Sequence, residues 1–186
     1  MLIAFSGAQS SGKSTLLQEC KKMSELRDYT FIDEVTRRVK REKDVPINNE
    51  SSDYNCTQVL ILQDHIKNLT LKNAILDRCA LDGYIYTKYF ANHNKVDYSI
   101  YSLARDIWHS VAIYRYDTIF YTDPTIPLVN DGERSVDVQF RNEIIFLFEE
   151  EIKNMNALYR DKFVELSGTV YQRMNSIRER LHHVNT

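Results

Sequence analysis

The chain has 186 residues, with 24 Lys and Arg against 26 Asp and Glu and a net charge of −2. That near-balance excludes a global basic field for nucleic acid, and no apolar run approaches the roughly 18 residues of a membrane span. Three prolines, five glycines and no repeat or low-complexity tract argue against linkers and solenoids, so one domain over 1–186 with a substantial core is expected.

Leu2-Ile3-Ala4-Phe5 reads as a short apolar strand. Gly7-Ala8-Gln9-Ser10-Ser11-Gly12-Lys13-Ser14 follows and fits G-x-x-x-x-G-K-[ST] at every fixed position, and Thr15-Leu16-Leu17 opens a helix to about Met23. Strand, glycine loop and helix in this order make a P-loop. Its N–H groups and the positive helix end suit a polyphosphate. Lys13 is expected to reach the β- and γ-phosphates, and Ser14 to place its hydroxyl on Mg²⁺.

Tyr29-Thr30-Phe31-Ile32 reads as the second strand, ending in Asp33-Glu34, and residues 35–43 as a basic helix. Val45 to Tyr54 is rich in Pro, Asn, Ser and Asp, so it reads as a loop. Helical spacing of Val59, Leu62, Ile66 and Leu69 predicts a helix near 55–71. Ala74-Ile75-Leu76 is a short buried strand ending at Asp77-Arg78. Lys88 to His93 looks like a helix end, and Ile100, Leu103, Ile107 and Val111 mark a helix near 97–114. Thr118 to Tyr121 is the next strand, 135–160 is mostly helix, Phe163 to Leu166 is the last strand and 169–183 the last helix. This alternation predicts an α/β fold, a parallel sheet covered by helices on both faces. Ligands of such sheets sit at the strands' carboxyl ends, where the P-loop, Asp33-Glu34, Asp77-Arg78 and Asp123 all fall.

Asp77 ends an apolar strand as a Walker-B acid does, which suits Mg²⁺ or its water. Arg78 follows where a water-activating ATPase usually has Glu. A guanidinium clamps phosphate bidentately, which favours transfer to an organic acceptor over hydrolysis; a structural Asp–Arg pair is the alternative. Of Asp33 and Glu34, Glu34 is the preferred acceptor base, because Arg37 lies one helical turn on. Simple helix capping by both acids is the other reading. Arg134 and Arg141 are seven apart on one helical face after the turn Asp131-Gly132. They are expected on a lid over about 125–141, where they neutralise the transferring group; otherwise they decorate a solvated face.

Arg37, Arg38, Lys40, Arg41 and Lys43 form the only basic cluster. It suits an acidic acceptor, a nucleotide or a polynucleotide backbone, or else a solvated face balanced by Glu42 and Asp44. Asn94-Lys95-Val96-Asp97 fits the guanine-reading NKxD, but no apolar strand delivers it, so it reads as a loop. Cys20, Cys56 and Cys79 have no metal or CxxC spacing and fit free thiols of a reducing cytoplasm. No charged-then-apolar leader precedes the first strand.

Together these marks resemble the P-loop nucleoside and nucleotide kinases, above all the branch with nicotinamide riboside kinase domains and small viral ATP-binding proteins. They are the Phe5-to-Thr15 loop, Glu34-Val35-Thr36-Arg37 and Asp77-Arg78-Cys79-Ala80-Leu81-Asp82-Gly83-Tyr84. Tyr116 to Tyr121 with Asp131-Gly132-Glu133-Arg134, and Leu166-Ser167-Gly168 followed by Arg173, complete them. The resemblance implies that residues 7–15 bind ATP, that Ser14 and Asp77 hold Mg²⁺, and that Asp33, Glu34, Arg37, Arg78 and Asp82 serve the acceptor. It further implies that Arg78, Arg134 and Arg141 stabilise the transition state, and that the last loop lies near the adenine. Thymidylate kinases usually have Tyr where Cys79 stands here. The expected activity is phosphoryl transfer from ATP to a nucleoside- or nucleotide-type acceptor, in the cytoplasm (the host's, for a viral protein). Viral relatives that phosphorylate 5-hydroxymethyluracil in DNA make DNA an alternative acceptor. A regulatory P-loop NTPase or nucleotide-binding adaptor is the alternative from another class.

Overall fold

The computed structural model describes residues 1–43, 53–124, 137–159 and 161–185. The described strands are β1 (Leu2–Ser6), β2 (Thr30–Ile32), β3 (Ala74–Asp77), β4 (Thr118–Thr122) and β5 (Phe163–Leu166). They form one all-parallel sheet in the order β2-β3-β1-β4-β5. β1 and β4 are buried along their whole length, as expected of strands covered on both faces.

Side-chain alternation divides the core in two. Leu2, Ala4, Leu76, Ile119 and Tyr121 face one side. That side is covered by α3 (Tyr54–Asn68), α4 (Ala80–Asn92), α5 (Tyr98–Ile107) and α7 (Val138–Asn156). Ile3, Phe5, Ile75 and Phe120 face the other, covered by α1 (Lys13–Cys20) and α8 (Val170–Asn185). The basic helix α2 (Val35–Lys43) packs Val35 and Val39 against Ile61 of α3. A π-helical turn, Trp108–Ala112, joins α5 to the short α6 (Ile113–Arg115). Together these three cover the helix expected near 97–114. Trp108 is buried there, its indole N–H donating to Glu151 Oε1 at 2.8 Å.

α4 carries no sequence assignment beyond its end near His93. Ala80 to Ile85 are all buried, so the helix shows no polar stripe to reveal its period. Register sets Phe5 of β1 opposite both Asp77 of β3 and Phe120 of β4. The turns that leave these three strands therefore open on one edge. No described helix is long and apolar enough to cross a membrane.

Candidate active site

The loop after β1 is shaped by backbone conformations that few side chains tolerate. Gly7 has φ of 134°, and a Cβ there would lie 2.8 Å from Thr122 Oγ1. Gly12, the residue before α1, has φ of 87°. Between them Ser10 also has positive φ, and Ser11 Oγ pairs with Thr122 Oγ1.

The carbonyls of this loop are held by cationic side chains from three helices and from the turn after β3. Lys13 Nζ donates to Gly7 O and Ala8 O, each at 2.7 Å, and to Ser11 Oγ at 3.1 Å. Arg78 Nη1 reaches Gly7 O at 3.2 Å. Arg141, in the first turn of α7, reaches Gln9 O at 3.3 Å and Pro124 O at 2.8 Å. Arg173, in the first turn of α8, reaches Ser11 O at 2.8 Å. The three bonds of Lys13 are those of an ammonium. Burial and the neighbouring Arg78 charge nonetheless lower its pKa to about 7.

Beside the loop lies a buried ionic cluster. Arg78 has φ of 73°, and it is 6% exposed. Its Nε donates to Glu34 Oε1 at 2.6 Å and its Nη1 to Asp82 Oδ1 at 2.9 Å. Its guanidinium lies 5.3 Å from the ring centre of Tyr86, whose hydroxyl donates to Gln9 Oε1 at 3.0 Å. Glu34 is also paired with Arg37, Nε to Oε2, at 3.1 Å. Burial works against the Glu34 carboxylate, but Arg78 and Lys13 outweigh it and hold its pKa below the ordinary value. Asp82 is 1% exposed, and its oxygens take donors from Ser6 Oγ at 2.8 Å, Cys79 N at 3.0 Å, Arg78, and Gly7 N at 3.4 Å. That carboxylate ties the loop to β1 and to Arg78.

Asp77 ends β3 level with Phe5 and is half-buried, and its carboxylate makes no hydrogen bond or ion pair among the described residues. Burial, then the nearby Glu34 charge, raises its pKa. A raised carboxylate beside other carboxylates is a place where added positive charge is favourable. Ser14 and Thr15 are exposed at the start of α1, whereas Ala8 and Gln9 are buried. Asp33 is exposed at the end of β2, so of the two acids Glu34 is the one drawn into the cluster. Among the described residues no group of three or more His, Cys, Asp or Glu forms a metal cage. One hydroxyl and one carboxylate instead fit Mg²⁺, which usually keeps waters and takes its other ligands from substrate phosphates. Arg134 and the expected lid up to 136 lie outside the described residues. Arg38 of the basic cluster is paired with Asp64 at 3.2 Å, while Lys40 and Arg41 are exposed.

Two features escape sequence reasoning. Arg173 was visible only as a mark near the last loop, and Gln9–Tyr86 not at all. Both act through bonds that no spacing rule encodes.

A family model described as an AAA domain matches residues 2–173. The chain belongs to that family. Among solved structures, deoxyadenosine kinase from M. mycoides, with products dCMP and dCDP bound, is similar at 21% identity and a TM-score of 0.68, covering 99% of this chain and 100% of that one. NadR in complex with NAD and AMP-PNP is similar at 16% identity and 0.68, covering 97% of this chain and 49% of that one. Thymidylate kinase from Candida albicans is similar at 19% identity and 0.64, covering 99% and 92%. These likenesses show the fold, an α/β P-loop fold shared with nucleoside and nucleotide kinases. No curated protein matches the sequence significantly.

Proposed function

We propose that the chain is an ATP-dependent kinase that transfers the γ-phosphoryl group to a nucleoside- or nucleotide-type acceptor. One observation carries this reading: the phosphate loop and the Glu34–Arg78 pair share one buried site, with Arg37 on its exposed side. A water-activating ATPase usually has Glu beside its Walker-B acid, the position after Asp77 here. Here the neighbouring position is Arg78, held at 2.6 Å on a carboxylate delivered from β2.

Ser14 and Asp77 would hold Mg²⁺, which would supply charge neutralisation to the polyphosphate. The remaining work belongs to side chains of this chain. Loop N–H groups and Lys13 receive the polyphosphate; Lys13 leaves Gly7 O and Ala8 O to do so. Glu34 is kept ionised and orients the acceptor hydroxyl, or takes its proton. Arg37 turns from Glu34 toward an anionic acceptor. Arg78 and Arg141 hold the loop's carbonyls and add positive charge beside the transferring group. Asp82 acts on the site through Ser6, Gly7 and Arg78. The cysteines are free thiols, which suits a reducing cytoplasm.

One observation favours a second acceptor, a modified base within DNA. α2 begins right after Glu34 and leaves Lys40 and Arg41 exposed, a basic face continuous with the acceptor side. Labelled γ-phosphate transfer to nucleosides, nucleoside monophosphates, nicotinamide riboside and 5-hydroxymethyluracil DNA tests both. A labelled free nucleoside or nucleotide supports the first reading. Labelled DNA, with activity falling steeply as salt rises, supports the second. No labelled acceptor of any class would remove the kinase assignment.

A further inference from the structure

We infer that Arg173 is a positioning residue for the phosphate loop, acting through the loop's backbone and not on a ligand. The inference rests on the phosphate-donor reading of that loop, but that reading does not require it. Arg173 is 2% exposed, and three of its nitrogens each reach a different segment. Nη1 donates to Ser11 O of the loop at 2.8 Å. Nε donates to Gly168 O, in the turn after β5, at 2.9 Å. Nη2 donates to Asp123 O, just past β4, at 3.3 Å. One planar, rigid group thus fixes the loop after β1 against the ends of β4 and β5.

The consequence follows from peptide geometry. In a trans peptide the carbonyl and the next N–H point in opposite directions. Holding Ser11 C=O on Arg173 therefore sets the direction of the Gly12 N–H. Gly12 has φ of 87° at the entrance of α1, where glycine's freedom allows the peptide to turn either way. Its N–H has no acceptor among the described residues. It sits at the positive end of the helix, where a phosphate oxygen is taken up. Arg141 sets the neighbouring flank in the same manner, through Gln9 O. A lysine at 173 would keep the charge, but it would have to meet from one point the three carbonyls that arginine meets from three separate nitrogens of a rigid fork.

The test uses the full chain and titrates inorganic tripolyphosphate and ATP by calorimetry into wild type, Arg173→Lys and Arg173→Ala, with unfolding midpoints measured on the same samples. Tripolyphosphate carries no base or sugar, so it reports the loop alone. Both variants should bind it about tenfold more weakly or worse, the equivalent of one charge-assisted hydrogen bond. Guanidinium ion, at concentrations that leave the wild-type midpoint unmoved, should restore part of the loss in Arg173→Ala. Unchanged tripolyphosphate affinity in folded Arg173→Lys overturns the inference. So does weakening confined to ATP, which would put Arg173 on the nucleoside half, or a loss that follows the unfolding midpoint and resists guanidinium. Wild type that fails to bind tripolyphosphate overturns the phosphate-donor reading itself, a different and separately visible outcome.

Discussion

Asp82→Asn separates a carboxylate that supports the loop from one that touches the acceptor. Asp82 takes four donors on two oxygens: Ser6 Oγ and Cys79 N on one, Arg78 Nη1 and Gly7 N on the other. Asparagine offers one oxygen, so at most one of these pairs is kept and the amide NH₂ faces the other. Losing a charge-assisted bond costs about 1.5–3 kcal/mol, and a buried donor left without a partner costs about 1–3 kcal/mol more. Arg78 keeps Glu34 at 2.6 Å and so is not left as an isolated buried charge. The sum therefore belongs near about 3 kcal/mol, below the larger losses of a fully broken buried pair. For a chain of this size that is a fall in Tm of about 6–12 °C. Thermal and urea unfolding read the loss, and steady-state kinetics at a temperature where the variant is folded read the site. A Tm change under about 2 °C, with a raised KM for the acceptor alone, would refute the supporting role and return Asp82 to the substrate.

Glu34→Gln should lower kcat by roughly 10²-fold while leaving the KM for ATP nearly unchanged; a silent Glu34→Gln with a large effect of Asp33→Asn reverses the two acids. Asp77→Asn should weaken Mg²⁺-dependent turnover far more than metal-free ATP binding, read by a metal titration, because a hard cation loses its charged ligand. The pH dependence of ATP·Mg binding should report Lys13. Its pKa near 7 in the free protein must rise when phosphates bind, so the bound state holds more protons. Affinity should then be fullest below pH 7 and fall as pH rises through it, with proton uptake seen as a buffer-dependent binding enthalpy at pH 8. A buffer-independent enthalpy there contradicts the lowered pKa.

What the sequence made legible was local physics. The glycine loop between an apolar strand and a helix, and the acids closing β2 and β3, announce themselves because strand ends and phosphate loops need particular residues at fixed spacing. The parallel sheet followed from the alternation of elements. α4 did not show, since a helix buried nearly all round has no stripe. The tasks of Asp82, Arg141 and Arg173 did not show for another reason. Arg141 and Arg173 act on backbone carbonyls, and two of the four donors on Asp82 are backbone N–H groups; every residue carries these, so no residue type marks such partners. Only the family resemblance put Asp82 beside the acceptor; its saturation by Ser6, Cys79 and Arg78 depends on β1 lying beside β3. The basic cluster read as one patch, yet Arg37 and Arg38 are drawn onto Glu34 and Asp64.

The most direct measurement is single-turnover fate of γ-labelled ATP with and without the acceptor that the transfer screen returns. For a kinase, label should pass to the acceptor in step with ADP formation, and ADP formation should be at least about 10²-fold slower without acceptor, as expected when the acceptor completes the site. Lys13→Ala should form neither product at a comparable rate. Equal ADP formation with and without acceptor, with the label released as inorganic phosphate, would contradict phosphoryl transfer and make the chain a P-loop hydrolase or switch.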